Sequence, residues 1–427
     1  MPHRRHVLAA MGGIAGYALS ANKLLAAAGQ GDALNGTAMR TWLDEYDALG
    51  EHRTASPGDN ATSPWLADKL TRSGYQTSQP SFDFDLFEPD RCEIAIGDQK
   101  ISLFPAWPVV ETGGSTAQLA SIDAPDIKGK IAVIAFDHKV YTWAQPQCGG
   151  PVQAAIARGA KAVLAITEGP TGGIVALNAI PSRHAWTVPV LLAPGREKAR
   201  LTDAAAHGAE ATLISTGKRT PNAKATNVLA HRPGNGKTIV LSTPKSGWFH
   251  CASERGSGIA IFLALADWLA RTSTADIMCI ATSGHEIDGT GGREFLTNGA
   301  PTPDRTRLWL HIGANVACST ITFADGKPAP EDAPFAARRI TASASLLPAV
   351  QKAFAGQPGY DTPQDAATSE AVGEAAIFRD AGYNPILGVV GLSPLFHTRL
   401  DRAPLAASPT AIAAVASGLS AVLASVL

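Results

Sequence analysis

The chain has 427 residues, of which 45% are apolar and 17% charged, with a formal net charge of −1. That length accommodates a large core in two or three domains, and the composition excludes a disordered or fibrous chain. A net charge this close to zero leaves no broad electrostatic footprint for nucleic acid.

Residues 1–28 read as an export signal outside the fold. Arg4-Arg5 precede a mostly apolar run from Val7 to Leu25, and Ala26-Ala27-Ala28 offers small residues for cleavage. This is the pattern of a twin-arginine signal. The mature chain is therefore expected to be periplasmic or secreted. No other apolar run has the length of a membrane span. The five cysteines, Cys92, Cys148, Cys251, Cys279 and Cys318, are odd in number and contain no CxxC pair. Neither a disulfide scaffold nor a cysteine zinc site follows from them.

Past the signal, Ala38–Leu49 has helical periodicity, and Ala55–Asn60 reads as a polar turn. Ser63–Gly74 is the next expected helix, with Ser63 as N-cap and Gly74 as the stop. Strands are expected at Phe82–Phe87, Glu93–Ile96 and Ile101–Phe104. Residues 105–220 then read as a self-contained α/β unit. Its strands are Ile131–Phe136, Lys161–Ile166 and Val188–Leu192, and its helices are Gly150–Gly159 and Gly195–Ala206. From 221 onward strands and helices alternate, which argues for a mostly parallel sheet. The strands are Asn227–Ala230, Thr238–Ser242, Asp276–Ala281, Leu308–Ile312 and Pro385–Val390. The helices are Gly256–Ala270, Leu346–Ala355, Glu374–Ala381 and Thr410–Val426.

The most informative motif follows the apolar run Ile277-Met278-Cys279-Ile280-Ala281. There Thr282-Ser283-Gly284-His285-Glu286 leads into Ile287-Asp288-Gly289-Thr290-Gly291-Gly292. A buried parallel strand would deliver an imidazole and a carboxylate to its C-terminal end, where open α/β sheets hold their ligands. Such a pair can divide metal binding and proton transfer between them.

Two further motifs share the second half of the chain: Ala252-Ser253-Glu254-Arg255-Gly256-Ser257-Gly258 and Phe396-His397-Thr398-Arg399-Leu400-Asp401. Their order resembles that of the di-zinc exopeptidases, the family of bacterial leucyl aminopeptidases, plasma glutamate carboxypeptidase and glutaminyl cyclase, over roughly residues 38–104 and 224–427. The intervening unit, with its Lys128-Gly129-Lys130 strand start and its Val188-Pro189-Val190 strand, resembles a protease-associated domain. The resemblance implies an α/β fold with a mostly parallel central sheet flanked by helices, zinc-exopeptidase-like and of the phosphorylase/hydrolase type. It divides the chain into residues 29–104 and 221–427 of a peptidase-like domain, with 105–220 as a protease-associated α/β insert.

Carried over by position, the resemblance is imperfect. The family's first histidine falls on Pro244, which cannot bind metal, and the aspartate two residues on falls on Ser246. The bridging aspartate falls on Glu254, the general base on His285, the liganding glutamate on Glu286, the next aspartate on His311 and the last histidine on His397. The resemblance implies one zinc held by Glu254, Glu286 and His397, with His285 as the base and His311 either a second catalytic group or a further ligand. His250 is a replacement for the ligand lost at Pro244. Arg255 and Arg399 are candidates to clamp a substrate carboxylate, or else to pair with Glu254 or Asp401. Trp248 and Phe249 form an apolar substrate wall or pack in the core. Asp401 lies outside the ligand set and would orient His397.

The expected activity is an exported metallo-hydrolase cleaving an amide or peptide bond with one metal-activated water. Its partners would be peptides or small amides, not nucleic acid. Two alternatives stand beside it: a non-catalytic binding protein on the same scaffold, and a metal-free enzyme using the His/Glu cluster.

Overall fold

The structure, a computed structural model, describes residues 34–324, 327–369 and 373–427. The expected export signal lies outside the described residues. Ser81–Ile96 and Glu210–Thr226 are long strands that pair with each other outside the first sheet, and the described residues form two sheets of eight strands each and a two-stranded sheet of Ser319–Ala324 with Lys327–Pro334.

The first sheet has the order β1-β10-β12-β11-β13-β18-β16-β17. Its strands are β1 (Gln76–Ser78), β10 (Val228–Arg232), β11 (Asn235–Pro244), β12 (Ala275–Thr282), β13 (Thr306–Ile312), β16 (Arg338–Ala342), β17 (Gln364–Asp365) and β18 (Ile386–Gly391). Strands β12, β11, β13 and β18 run parallel, and β10 and β16 flank them antiparallel. The parallel strands are buried on both faces, and their residues alternate between two cores. Ile239, Leu241, Leu308 and Leu310 meet the helices Gly36–Ala48, Pro57–Arg72, Ser257–Thr272 and Pro409–Ala424 on one side, while Val240, Ile280 and Trp309 meet Phe295 and Phe378 on the other. This is the expected α/β fold with a mostly parallel central sheet flanked by helices.

The helix expected from Ser63 begins earlier, at Pro57. Ser56 caps it by accepting from the Asp59 amide, and Pro57 sits where its missing N–H costs nothing. The expected polar turn is therefore largely the cap and first turn of this helix.

The second sheet has the order β3-β2-β9-β5-β6-β7-β8-β4, with β2 (Ser81–Ile96), β3 (Gln99–Ser102) and β4 (Phe104–Pro105). Strands β5 (Thr112–Ser121), β6 (Ile131–Ala135), β7 (Ala162–Thr167) and β8 (Val190–Pro194) are parallel. Strand β9 (Glu210–Thr226) pairs antiparallel with both β5 and β2 (Ser81–Ile96). The second sheet thus begins at Ser81, upstream of the boundary expected at 105. The expected strands at 82–87 and 93–96 are one bulged strand whose partner is Glu210–Thr226.

Between the sheets, an aromatic cluster of Phe104, Trp107, Trp248 and Phe249 packs with ring centroids 4.9–5.8 Å apart. Among the described residues, no helix is long and apolar enough to cross a membrane.

Candidate functional site

Parallel strands share a carboxyl edge, and the loops leaving β11, β12 and β18 meet there. The loop after β11 carries Lys245 and Ser246, the loop after β12 carries His285 and Glu286, and the loop after β18 carries His397. Residues 252–256 form one π-helical turn at the head of the following helix and supply Glu254 and Arg255. The β12 loop folds tightly: Gly291 donates to the Ser283 carbonyl, and any Cβ on Gly291 would lie 2.2 Å from that oxygen.

His285 and Glu286 are neighbours in sequence but engage different partners. Glu286 accepts from the Thr54 amide and hydroxyl, both at 2.6 Å, and from Ser246 Oγ at 2.7 Å. Its carboxylate is a buried tie between three segments. Ser246 also accepts from the amides of Gly284 and His285, at 2.8 and 3.2 Å. His285 turns instead to Glu374, its Nδ1 lying 3.7 Å from Oε1. Glu374 heads the short helix Glu374–Asp380, and its Oε2 accepts from Thr282 at 2.8 Å. Burial acts to raise the Glu374 carboxyl, and the adjacent His285 imidazole outweighs it, so the group lies below its usual range.

The second cluster is Glu254, Arg255 and His397, all buried. Arg255 brings one terminal nitrogen to 2.7 Å from Glu254 Oε1 and donates from Nε to the Ser246 carbonyl at 2.8 Å. His397 Nε2 lies 3.5 Å from the same Glu254 oxygen. Burial raises the Glu254 carboxyl, but Arg255 and then His397 prevail and hold it at about 2. The two clusters interact, since the charge of His285 also acts on Glu254.

Several buried polar atoms here make no hydrogen bond: Oε2 of Glu254 and Nη1 of Arg255 stand without one, while Glu254 Oε1, Arg255 Nη2, His285 Nδ1, Glu374 Oε1 and His397 Nε2 meet only one another, as ion pairs. Buried polar atoms are ordinarily paired, so their concentration in one place marks a site built to meet a polar ligand. It is enclosed: the His285 side chain is 11% exposed and that of His397 not at all.

His311 and Asp401 take other roles than those expected. His311 Nδ1 is hydrogen-bonded to Ser242 Oγ at 2.9 Å, and Ser242 Oγ also accepts from Trp309 Nε1 at 2.8 Å. Burial depresses His311 to about 4, with Glu374 opposing and His285 and Arg255 adding. A base that weak is poorly matched to proton transfer near neutral pH. Asp401 does not reach His397. It accepts from the Ser253 amide at 2.7 Å, from the Ser253 hydroxyl and from the Glu254 amide at 3.0 Å, and so anchors the turn that presents Glu254 and Arg255. Burial raises its carboxyl to about 6 against those bonds.

The outer candidates lie off the cluster. Arg399 is mostly exposed, pairs with Glu51 and covers the Phe249 ring at 4.6 Å. His250 is held by Asp47, through its carbonyl at 3.0 Å and its carboxylate at 3.2 Å. Trp248 is buried in the aromatic cluster and donates to Asn178 Oδ1 at 3.0 Å. Glu374, which by the family resemblance falls where a polar residue lies near the site but was not counted among its residues, pairs with His285.

The implied zinc does not fit these residues. Pro244 offers no donor, the Ser246 hydroxyl and both Glu286 oxygens are engaged, and a sealed guanidinium already sits against Glu254. Among the described residues, no group of three His, Cys, Asp or Glu side chains stands where it could hold a metal ion. Further back, Lys245 is buried and paired with Asp59, which also accepts from Ser283 Oγ at 2.6 Å. Fixed side-chain cations therefore neutralise Asp59 and Glu254 at this sheet edge.

No family model and no curated protein matches the sequence. Solved structures do match. A zinc aminopeptidase from Bacillus subtilis is 17% identical, with 92% of this chain and 95% of that one covered, at a TM-score of 0.73. A peptidase M28 precursor from Shewanella amazonensis is 14% identical, with 95% of each chain covered, at 0.73. An aminopeptidase from Aneurinibacillus sp. strain AM-1 is 16% identical, with 91% and 93% covered, at 0.65. The chain has the zinc-exopeptidase-like fold, as the sequence motifs imply.

Proposed function

We propose that this protein is a hydrolase of amide or peptide bonds that works without a metal, using two carboxylate–imidazole pairs and one buried guanidinium. The observation that carries the reading is a buried set of ion-paired groups, Glu254, Arg255, His285, Glu374 and His397, whose facing polar atoms make no hydrogen bond. Similarity in fold to aminopeptidases supports peptides as the substrate class.

In this mechanism the substrate carbonyl oxygen lies against Nη1 of Arg255, the terminal nitrogen not paired with Glu254, which stabilises the negative charge that develops there. His285, oriented by Glu374, takes a proton from water as the oxygen attacks the carbonyl carbon. The tetrahedral intermediate then collapses, the C–N bond breaks, and the leaving amine takes a proton from His397 Nε2, with Glu254 stabilising the imidazolium. The products are a carboxylate and an amine, and exchange with solvent returns His285 and His397 to their starting states. Glu286 and Ser246 move no proton; they hold the loops in register.

The test is elemental analysis of protein purified without chelator, alongside hydrolysis of a panel of aminoacyl and acyl p-nitroanilides with and without 1,10-phenanthroline. Substoichiometric zinc, chelator-resistant turnover and its loss in His285→Ala are expected. One zinc per chain whose removal abolishes turnover would restore the metallo-hydrolase reading with Glu254, Glu286 and His397 as ligands. No turnover of any amide would favour the non-catalytic binding protein.

Export is part of the proposal: Arg4-Arg5, the apolar run and Ala26-Ala27-Ala28 support a periplasmic or secreted protein. N-terminal sequencing of protein from the periplasmic fraction should begin close to residue 29.

A further inference from the structure

The segment Ala176–Ala179, which joins β7 to β8 in the second sheet, touches both histidine loops of the first. The Ala176 carbonyl lies 2.8 Å from His397 Nδ1, and the Ala176 amide donates to the His397 carbonyl at 2.9 Å. Three residues on, the Ala179 amide donates to the Glu286 carbonyl at 2.8 Å, and Ala179 forms a parallel bridge with Ile287, beside His285. Between them, Asn178 accepts from Trp248 Nε1 through its side chain, accepts from the Trp143 amide and donates to the Tyr141 carbonyl. Tyr141 in turn sets its ring edge-on to His397 at 6.0 Å.

A carbonyl oxygen only accepts, so His397 Nδ1 must carry the proton in this bond. Nε2 is thereby left to face Glu254. His397 also sits at φ +60°, a left-handed conformation that a non-glycine residue keeps only when its surroundings impose it. The backbone of Ala176 supplies that constraint from both sides of the residue.

We propose that Ala176–Ala179 is a positioning clasp: its carbonyl fixes the tautomer and aim of His397, and its release opens the sealed site to substrate. This rests on the reading of His397 as a functional group. Because Ala176 and Ala179 bind the two loops together, His397 and the His285 loop are assembled by one closure. Asn178 is a positioning residue, coupling the clasp to Trp248 without touching the reacting groups.

The test needs no substrate, so it stands or falls apart from the hydrolase reading. Three measurements are made on the full mature chain and on Asn178→Ala and Asn178→Asp: backbone amide exchange at Ala176 and Ala179, the histidine ring nitrogen spectrum, and carbethoxylation of each histidine. His138 and His207, whose side chains are 54% and 76% exposed, serve as internal controls. In the wild type His397 should keep Nδ1 protonated, whether or not Nε2 also holds a proton, and be modified slowly. Asn178→Ala should speed exchange at both amides and modification of His397 together, by about fivefold, and mix the tautomers. Asn178→Asp keeps the acceptor for Trp248 and should restore wild-type behaviour.

Faster exchange with an unchanged His397 tautomer and reactivity would overturn the proposal. So would wild-type His397 reacting as fast as His138. If Asn178→Ala does not fold, wild-type exchange in low denaturant decides: the two amides and His397 modification must report the same opening equilibrium, and different ones would sink the idea.

Discussion

At the residue scale, the electrostatics of the site turn on Arg255. Its side chain is sealed from solvent and placed 2.7 Å from Glu254, whose carboxylate it and His397 keep ionised against burial. Removing one partner of such a pair strands the other charge in the interior, which costs about 3–5 kcal/mol, whereas removing both can be nearly neutral. Arg255→Met should therefore destabilise the fold by several kcal/mol in chemical denaturation, and Arg255→Met/Glu254→Gln should regain most of the loss. Equal destabilisation in both variants would mean that the two groups are not coupled. Arg255→Lys should keep the charge but lose the bond from Nε to Ser246, giving intermediate stability.

The His285–Glu374 pair makes a separate prediction at this scale. Removing a positioned general base typically costs 10²–10⁴-fold, a loss of about that size expected for His285→Ala in kcat. Glu374→Gln removes the charge that orients the ring while leaving its shape, and should lose less, with KM little changed. A larger effect on KM than on kcat would assign Glu374 to substrate binding. Ser246→Ala provides a contrast. It deletes the donor to Glu286 and the acceptor for two amides, so stability should fall by about 2 kcal/mol before any change in mechanism is seen.

At the scale of elements, the parallel strands were legible because both their faces are buried and their sequences are apolar runs. Ile277–Ala281 and Leu308–Ile312 fall inside β12 and β13. Strands with one wet face were harder to read. Thr112–Ser121 and Glu210–Thr226 alternate buried and exposed positions with many small polar residues, and gain their order from pairing with each other and with Ser81–Ile96. The site was legible in part for the same kind of reason. His285 and Glu286 could be placed at a strand end from the apolar run before them, and Glu254 and His397 only through the family resemblance. Which way each side chain faces was not local information: Glu286 is claimed by Thr54, more than two hundred residues away, and His397 by Ala176 from the other sheet. The helix beginning at Pro57 gives an element-scale prediction. Ser56→Ala removes the cap from the Asp59 amide and a bond to the Glu51 carbonyl, and should lower stability by about 1 kcal/mol. Ser56→Asp should retain most of it.

For the whole molecule, the buried titratable groups combine into one dependence of stability on pH. His52 is fully buried, stacked on Tyr46 with ring centroids 3.7 Å apart, and lowered to about 3 by burial and the nearby charge of Lys245. His311 is lowered to about 4, again chiefly by burial. Both are neutral in the folded chain and would take up protons near 6.5 once unfolded. Between pH 6.5 and about 4 the unfolded state therefore binds more protons, and stability must rise with pH across that window. Asp401 works in the opposite sense. Raised to about 6, it is protonated in the folded chain where the unfolded group is not, so its contribution is greatest at low pH and is lost as pH rises through 6. Glu254 and Glu374, both lowered, add stability above their unfolded values that is lost as pH falls below about 4.5. Two histidines against one aspartate leave a net loss on acidification from pH 6.5 towards 4.5, and the two lowered glutamates steepen it below. Each proton in excess on the unfolded state changes the folding constant tenfold per pH unit. The thermal midpoint should accordingly fall as pH drops from 7 to 4.5. His311→Asn removes one of the two histidine protons and should flatten the slope, whereas Asp401→Asn removes the opposing group and should steepen it. A slope unchanged in both variants would show that these groups titrate alike in the folded and unfolded chains, and with that the polar interior would lose its claim to be dry.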